Sequence, residues 1–225
     1  MKFNEYVHAF ISAEYYALLK ADCGSKGIDA FSEMTVRYGR QRGIRMAKRA
    51  MRDGQPLNYM TYMNYREWIP TAGLMPHALP AEAENTYPEY KVRIYSCAWH
   101  EQFAAMGLAE AGRVYCRLID PAICAGFSPD IEFITSQTLN DHDCCIQTVR
   151  NACIPEGFRS EVKTENTRDF EYHCAHLYET YRRGTAERFG DTVNRMFISE
   201  FSSHYGREMT ERLLSYQETD FEEII

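Results

Sequence analysis

Residues 91–150 read KVRIYSCAWHEQFAAMGLAEAGRVYCRLIDPAICAGFSPDIEFITSQTLNDHDCCIQTVR, and this segment sets the architecture. KVRIYSC (91–97) is rich in β-favouring residues. Ala98 to about Gly112 and Arg113 to Cys124 carry apolar residues at helical spacing. IEFITSQTL (131–139) and CCIQTVR (144–150) alternate as strands, and Asn140-Asp141-His142-Asp143 between them has the composition of a hairpin turn. The order is β-α-α-β-β, an α+β centre.

Helical segments lie on either side. Before the centre, Tyr6, Phe10, Ile11, Leu18 and Leu19 recur at helical spacing up to Cys23-Gly24. A second helix is expected from about Ile28 to Met51, ended by Asp53-Gly54-Gln55-Pro56. LNYMTYMNYREWI (57–69) reads as a further helix. Pro70, Pro76, Pro80 and Pro88 mark 70–90 as a linker or loop. After the centre, a helical zone runs from about Arg168 to Gln217. There Val193, Phe197, Phe201, Tyr205, Met209 and Leu213 step by four, and Met196 and Leu214 widen the stripe.

The two ends look alike. EYVHAF (5–10), Cys23-Gly24 and RYGRQRG (37–43) are echoed by EYHCAH (171–176), Phe189-Gly190 and HYGRE (204–208). One gap aligns two helix-Gly-helix units, the pattern of an internal repeat. The expected fold is α+β: a small β-α-α-β-β centre (91–150) flanked by two repeated helical pairs (1–70 and 168–217), in a single domain over 1–225.

Composition narrows the function. Twenty-five basic residues face 32 acidic ones, a net charge of -7, so phosphate-mediated nucleic-acid binding is not expected. No apolar run reaches the ~18 residues of a membrane span. Glu5, His8 and Glu14 interrupt the apolar N-terminal stretch, which argues against a secretory signal. The expected address is the cytoplasm, where the eight cysteines stand as thiols. None has CxxC spacing. GxSxG, HExxH, P-loop and GxGxxG motifs are missing too, so serine-hydrolase, zincin and nucleotide-binding chemistries lack support.

Several side-chain groups could carry chemistry, each beside a plainer reading. Cys97, His100 and Glu101 at i, i+3 and i+4 share a helix face, either an activated thiol or metal set or a buried thiol beside a solvated pair. Asp120 lies four residues after Cys116 in an apolar helix. It is a structural acceptor or an acid/base of raised pKa, because a lone carboxylate there is costly. Cys144 and Cys145 follow the hairpin tip and face opposite ways, one to the core and one away. Arg37, Arg40, Arg42, Arg45, Lys48, Arg49 and Arg52 form an acid-free basic stretch. It is a solvated face, or it supplies an arginine that clamps a carboxylate. His173 and His176, three apart, are core or surface histidines, or half of a metal site.

CAWHEQFAAMGLAEAGRVYCRLIDPAICAGFSPDIEFITSQTLNDHDCC (97–145) resembles the L-2-amino-thiazoline-4-carboxylic acid hydrolase family. Cys97, Cys116, Asp120, Pro129, Thr138, Leu139, Asp143 and Cys145 match that family's pattern. The flanks YGRQRGIRMAKRA and HCAHLYETYRRGTAERFG are similar to its helical segments. His142 stands where the pattern has glycine, which affects the turn and adds an imidazole. The resemblance implies a cytosolic hydrolase acting on the carbon–nitrogen bonds of a small cyclic amidine and opening the ring to an N-carbamoyl amino acid. By the chemistry of that reaction, rather than by the family pattern, Asp120 is expected to be the general base or the amidinium partner. Cys116 or Cys145 is the nucleophile, activated by His100 or His142, with Cys97 in the same catalytic set. Arg40 or Arg45 takes the carboxylate; Asp143, Thr138 and His176 complete the substrate contacts. No cofactor is evident, and the partner is a small amino-acid-like substrate. The apolar stripes suggest a homodimer or higher oligomer.

Two competing readings remain at this stage. The centre also resembles 4-vinyl-reductase-like sensor domains, in which Cys116, Asp120 and Cys145 would hold zinc without turnover. A helical oligomer with no active site is the third.

Overall fold

A computed structural model describes residues 2–68, 71 and 81–223. α1 (Glu5–Arg52) starts where the Asn4 side chain accepts the Val7 N–H at 3.1 Å, a side-chain cap on an orphan donor. It bends at Gly24, whose φ of 60° and ψ of -137° suit glycine alone. The two N-terminal helices read from sequence are therefore two arms of one bent helix. α2 (Tyr59–Asn64) is shorter than the expected 57–69 helix. Then follow β1 (Ala81–Asn85), β2 (Tyr90–Ile94), α3 (Ala98–Ala105), α4 (Ala109–Phe127), β3 (Phe133–Gln137) and β4 (Cys145–Val149). A 3₁₀ turn (Thr164–Asn166) precedes α5 (Phe170–Phe189), α6 (Thr192–Tyr205) and α7 (Arg207–Leu214).

The α+β architecture and the central β-α-α-β-β order hold, with one strand more than expected. The antiparallel sheet runs β1-β2-β4-β3. β1, AEAEN, is an exposed edge strand of low β propensity held only by its pairing with β2, so its sequence carries no strand signal. Of the prolines assigned to a linker, Pro70, Pro76 and Pro80 lie outside the described residues. The break between the central helices falls at Gly107 (φ 67°), not at Gly112. Gly112 lies inside α4, where a Cβ would overlap the Asn140 side chain of the β3–β4 hairpin.

One face of the sheet carries Ile94, Cys145, Gln147 and Thr135. Ile94 pairs with Cys145, and Thr135 with Gln147. α4 packs beside β3, and α1 lies against α4 at backbone contact. A Cβ on Gly43 would overlap the Ile123 carbonyl, and one on Gly126 would overlap the Arg40 carbonyl. These glycines let the two backbones approach, and the approach brings Arg42 of α1 over the α4 face that bears Asp120.

The C-terminal helices cover the other side of α1. Tyr15 stacks on Phe197 at 4.5 Å, and Phe10 meets Phe201 edge-on at 6.1 Å. Val193, Phe197, Phe201, Met209 and Leu213 are buried as the stripe predicts, whereas Met196 is 42% exposed. The stripe is split between α6 and α7 by Gly206 (φ 81°). Gly24 and Gly190 both bend the chain at positive φ, so the helix-Gly-helix likeness is real at that pair. It ends at the next one: Gly39 is inside α1 against Ala122, whereas Gly206 terminates α6. Among the described residues no helix is long and apolar enough to cross a membrane.

Candidate active site

Between α4, the sheet face and the start of α3 lies a cavity of about 420 Å³. Four of the residues singled out in the sequence line it: Cys97, Cys116, Asp120 and Cys145. They come from the N-cap of α3, from α4 four residues apart, and from the first residue of β4. Arg42, Trp68, Trp99, Tyr115 and Gln147 complete much of the wall.

Asp120 accepts a hydrogen bond from Gln147 Nε2 at 2.8 Å. Burial raises its pKa, although the nearby Arg42 guanidinium and the Gln147 bond both favour the charged form. A carboxyl so placed takes and returns a proton more readily than an exposed aspartate. Pro121, next in α4, has no N–H to give the Arg117 carbonyl one turn back, which loosens the backbone beside the carboxyl.

The three cavity thiols are all pushed up by burial; Cys97 raises Cys145 further, and both raise Cys116. Cys116 is raised well above the ordinary thiol value; its sulfur accepts Asn140 Nδ2 at 3.6 Å. Cys145 is raised to about 11, even though the Leu139 N–H points at its sulfur from 3.2 Å. Cys97 is raised as well, opposed by the backbone N–H groups of His100 and Trp99 at the start of α3. All three stand as neutral thiols at pH 7. Cys97 and Cys145 have backbone donors ready to receive a thiolate. All eight cysteines are free.

Arg42 was one of seven basic residues in its stretch, and the structure singles it out. It is 3% exposed, its Nε donates to Glu67 at 3.3 Å, and its guanidinium lies 3.6 Å from the centre of the Trp68 ring. Its Nη1 is buried with no hydrogen-bond partner among the described residues. A buried cationic donor without an acceptor is costly and suits an anion brought by a ligand. Trp68 and Trp99, 5.6 Å apart and nearly parallel, make an aromatic wall. Trp99 is fixed by its indole N–H, donated to Nδ1 of the fully buried His8 at 3.1 Å.

The other nominated residues lie elsewhere. Arg45 is fully buried and structural: it donates to Glu67 at 2.9 and 2.8 Å and also bonds the Phe221 carbonyl. Arg49 adds a third guanidinium to the same carboxylate at 2.8 Å. These cations outweigh the burial of Glu67 and hold its pKa down at about 2. Arg40 is exposed and lines a groove on the outer side of α1. His176 is buried against Phe221 and bonds Gln41 Oε1 through Nε2 at 2.9 Å, on the far side of α1. Thr138 donates its hydroxyl to Asp141 at 2.8 Å and so shapes the hairpin turn. His142 is exposed at the tip and meets Asp141 at 3.0 Å, and Asp143 is exposed beside it. The imidazole replacing glycine at 142 thus points at a turn carboxylate. His100 reaches the cavity only through Asn140, at 3.2 Å, which in turn holds the Cys116 sulfur. Cys144 faces opposite to Cys145 as expected, yet it is buried too, under Gln137 and Arg93. Glu101 accepts the Tyr6 hydroxyl at 2.6 Å, outside the cavity.

Among the described residues no three His, Cys, Asp or Glu side chains are grouped as a metal site. Cys116, Asp120 and Cys145 share the cavity wall without forming such a group. Gln147, Trp68, Trp99 and Asn140 are site residues that the sequence left unassigned, and Arg42 stood in its basic stretch without being chosen from it. For Arg42 a signal existed, since 42, 45 and 49 share one helix face with Tyr38 and Met46.

A family model described as L-2-amino-thiazoline-4-carboxylic acid hydrolase matches residues 4–146. The match covers α1 and the centre through the first residues of β4, and so includes the cavity residues above except Gln147. No curated protein and no solved structure matches the chain.

Proposed function

The chain belongs to the L-2-amino-thiazoline-4-carboxylic acid hydrolase family, and on that premise we propose that its cavity hydrolyses a small cyclic amidine carrying a carboxylate. The observation that carries this reading is the pairing, in one cavity wall, of the Arg42 guanidinium, whose buried Nη1 has no partner among the described residues, with the raised Asp120 carboxyl. An amidine carboxylate has the complementary pair of groups.

In this reading Arg42 takes the substrate carboxylate, and the Trp68–Trp99 wall lies along the flat ring. Asp120, held by Gln147, pairs with the amidine N–H and takes a proton from the attacking water. The water oxygen bonds to the amidine carbon, and the tetrahedral adduct collapses with loss of the ring heteroatom. In a thiazoline that atom is sulfur, so the carbon–sulfur bond breaks and Asp120 returns its proton to the leaving thiolate. The product of 2-amino-thiazoline-4-carboxylate is N-carbamoyl cysteine, heavier by one water. The neutral thiols line the pocket beside the reacting carbon. Burial works against a covalent thiolate route at all three, so water is the nucleophile favoured here.

Purified protein incubated with L-2-amino-thiazoline-4-carboxylate should yield a product gaining one water by mass spectrometry. The yield should survive a chelator and brief thiol alkylation at subsaturating reagent. Product lost with the chelator would move the chemistry to a metal; product lost in step with alkylation of Cys145 would move it to a covalent thiol. No product under any condition would remove this substrate.

A further inference from the structure

The reaction cavity does not end at Asp120. A second chamber of about 280 Å³ adjoins it, and Arg42, Arg66, Trp68, Asp120, Ile123 and Gln147 line both. Beyond that shared rim the second chamber is walled by Tyr59, Tyr62, Met63, Tyr90 and Phe133. Tyr59 stacks on Tyr62 at 5.5 Å with planes 14° apart, and Tyr90 lies 5.7 Å from Tyr59. Flat rings and an adaptable thioether form a slot suited to another ring.

The first cavity alone is already in the range of roughly 300–1,000 Å³ that holds drug-sized ligands. A single five-membered ring with one carboxylate fills only part of it and none of the second chamber. Asp120 lies where the two meet, so the amidine nitrogen it pairs with sits at the boundary. A substituent on that nitrogen points past Gln147 into the slot. We propose that the substrate is a cyclic amidine carboxylate bearing an apolar, aromatic-sized group on its exocyclic nitrogen, which the Tyr59–Tyr62–Tyr90 chamber receives. This rests on the reading of the first cavity as the hydrolytic site.

The test compares 2-amino-thiazoline-4-carboxylate with its N-benzyl derivative on the full chain. The wild type is expected to favour the benzyl compound in kcat/KM by ~10-fold or more, the discrimination an apolar pocket gives for added apolar surface. Met63→Trp, which fills the chamber without touching the reacting groups, should abolish that preference and leave the parent compound within a few-fold. Met63→Phe serves if the larger change impairs folding by circular dichroism. A wild type that favours the parent compound, or a benzyl preference that survives both variants, overturns the proposal. If neither compound turns over, the hydrolytic reading falls on its own, and calorimetric binding still decides the chamber. Tighter binding of the benzyl compound that Met63→Trp removes supports the slot; equal or weaker binding overturns it.

Discussion

Asp120→Asn separates the proposed catalytic role of this carboxyl from a structural one, because the two roles predict opposite signs. Asparagine keeps the shape and can still accept the Gln147 Nε2 bond now made at 2.8 Å. What it loses is the proton site. A positioned acid/base group contributes about 10²–10⁴ in rate, or roughly 3–5 kcal/mol of barrier. The variant should therefore lose at least ~100-fold in kcat, with KM changed far less. Stability should move the other way. Burial is the largest influence on Asp120 and disfavours its charge, more than Arg42 and Gln147 favour it. The folded state thus holds the Asp120 proton more tightly than the unfolded chain does, so ionised Asp120 costs stability at neutral pH. The neutral asparagine removes that cost, and the melting temperature at pH 8 should equal or exceed that of the wild type. The gain should shrink as pH falls and Asp120 takes up its proton. Denaturant melts at a series of pH values, beside steady-state kinetics, read both. A variant with intact turnover, or one destabilised equally at every pH, would refute the assignment.

Four further outcomes follow from the same geometry. Arg42→Lys removes the planar donor at Nη1; a hydrogen bond to a charged group contributes ~1.5–3 kcal/mol, so KM should rise about 10- to 100-fold, whereas Arg40→Gln on the outer groove should change neither constant. Glu67→Gln strands three buried guanidiniums, and breaking a buried ionic contact costs about 3–5 kcal/mol. At roughly 2–4 °C per kcal/mol for a chain of this size, differential scanning calorimetry should show a drop of ~6–20 °C, and a drop under 2 °C would contradict the cluster's role. Gly43→Ala drives a methyl into the Ile123 carbonyl; overpacking of this kind costs about 1–3 kcal/mol, and by shifting α1 from α4 it should also raise KM, as kinetics on the folded fraction would show. Finally, burial and the field of Arg42 hold His173 down to about 3 against an ordinary 6.5, and Glu67 is held at about 2 against 4.5. In both cases the unfolded state binds the proton first, so stability should fall with acid, starting below pH 6.5 and steepening below 4.5; stability unchanged between pH 7 and 4 by urea melts would contradict it.

The centre was legible because its signals are local. Alternation in 131–139 and 144–150, with Asn-Asp-His-Asp between, specifies a hairpin without reference to the rest of the chain. β1 was not, because AEAEN becomes a strand only through hydrogen bonds to β2, a long-range cause. The bend at Gly24 was legible as a glycine but not as a bend within one helix, since helical spacing resumes beyond it. In the site, Cys97, Cys116, Asp120 and Cys145, which the family pattern groups, line one cavity. Thr138 and Asp143 share that pattern yet lie in the turn, because a motif marks what builds a site as well as what lines it. Arg40 and Arg45 lie off the cavity for a different reason. Charge along a helix says how many cations exist, whereas the packing of α1 on α4 decides which one reaches the cavity. That packing depends on Gly43 and Gly126, whose only contribution is a missing side chain.

The arginine row also supplies the charge that the proposed carboxylate site needs. Glu67 is the one carboxylate that Arg42, Arg45 and Arg49 share among the described residues, so the buried group carries more positive than negative charge. Arg45 offsets part of its share through the Phe221 carbonyl, and it is sealed from the cavity. Of these three arginines, Arg42 is the one that lines the cavity, and its buried Nη1 has no partner among the described residues. In a low-dielectric setting that excess attracts a ligand carboxylate more strongly than the same guanidinium would in water. The same field counteracts part of the effect of burial on Asp120. A carboxylate bound at Arg42 weakens that field, raises the Asp120 proton affinity and so primes it to accept the proton of the attacking water. In the proposed reaction substrate binding and base strength are thereby coupled through one guanidinium, so an amidine without the carboxylate should lose kcat as well as affinity.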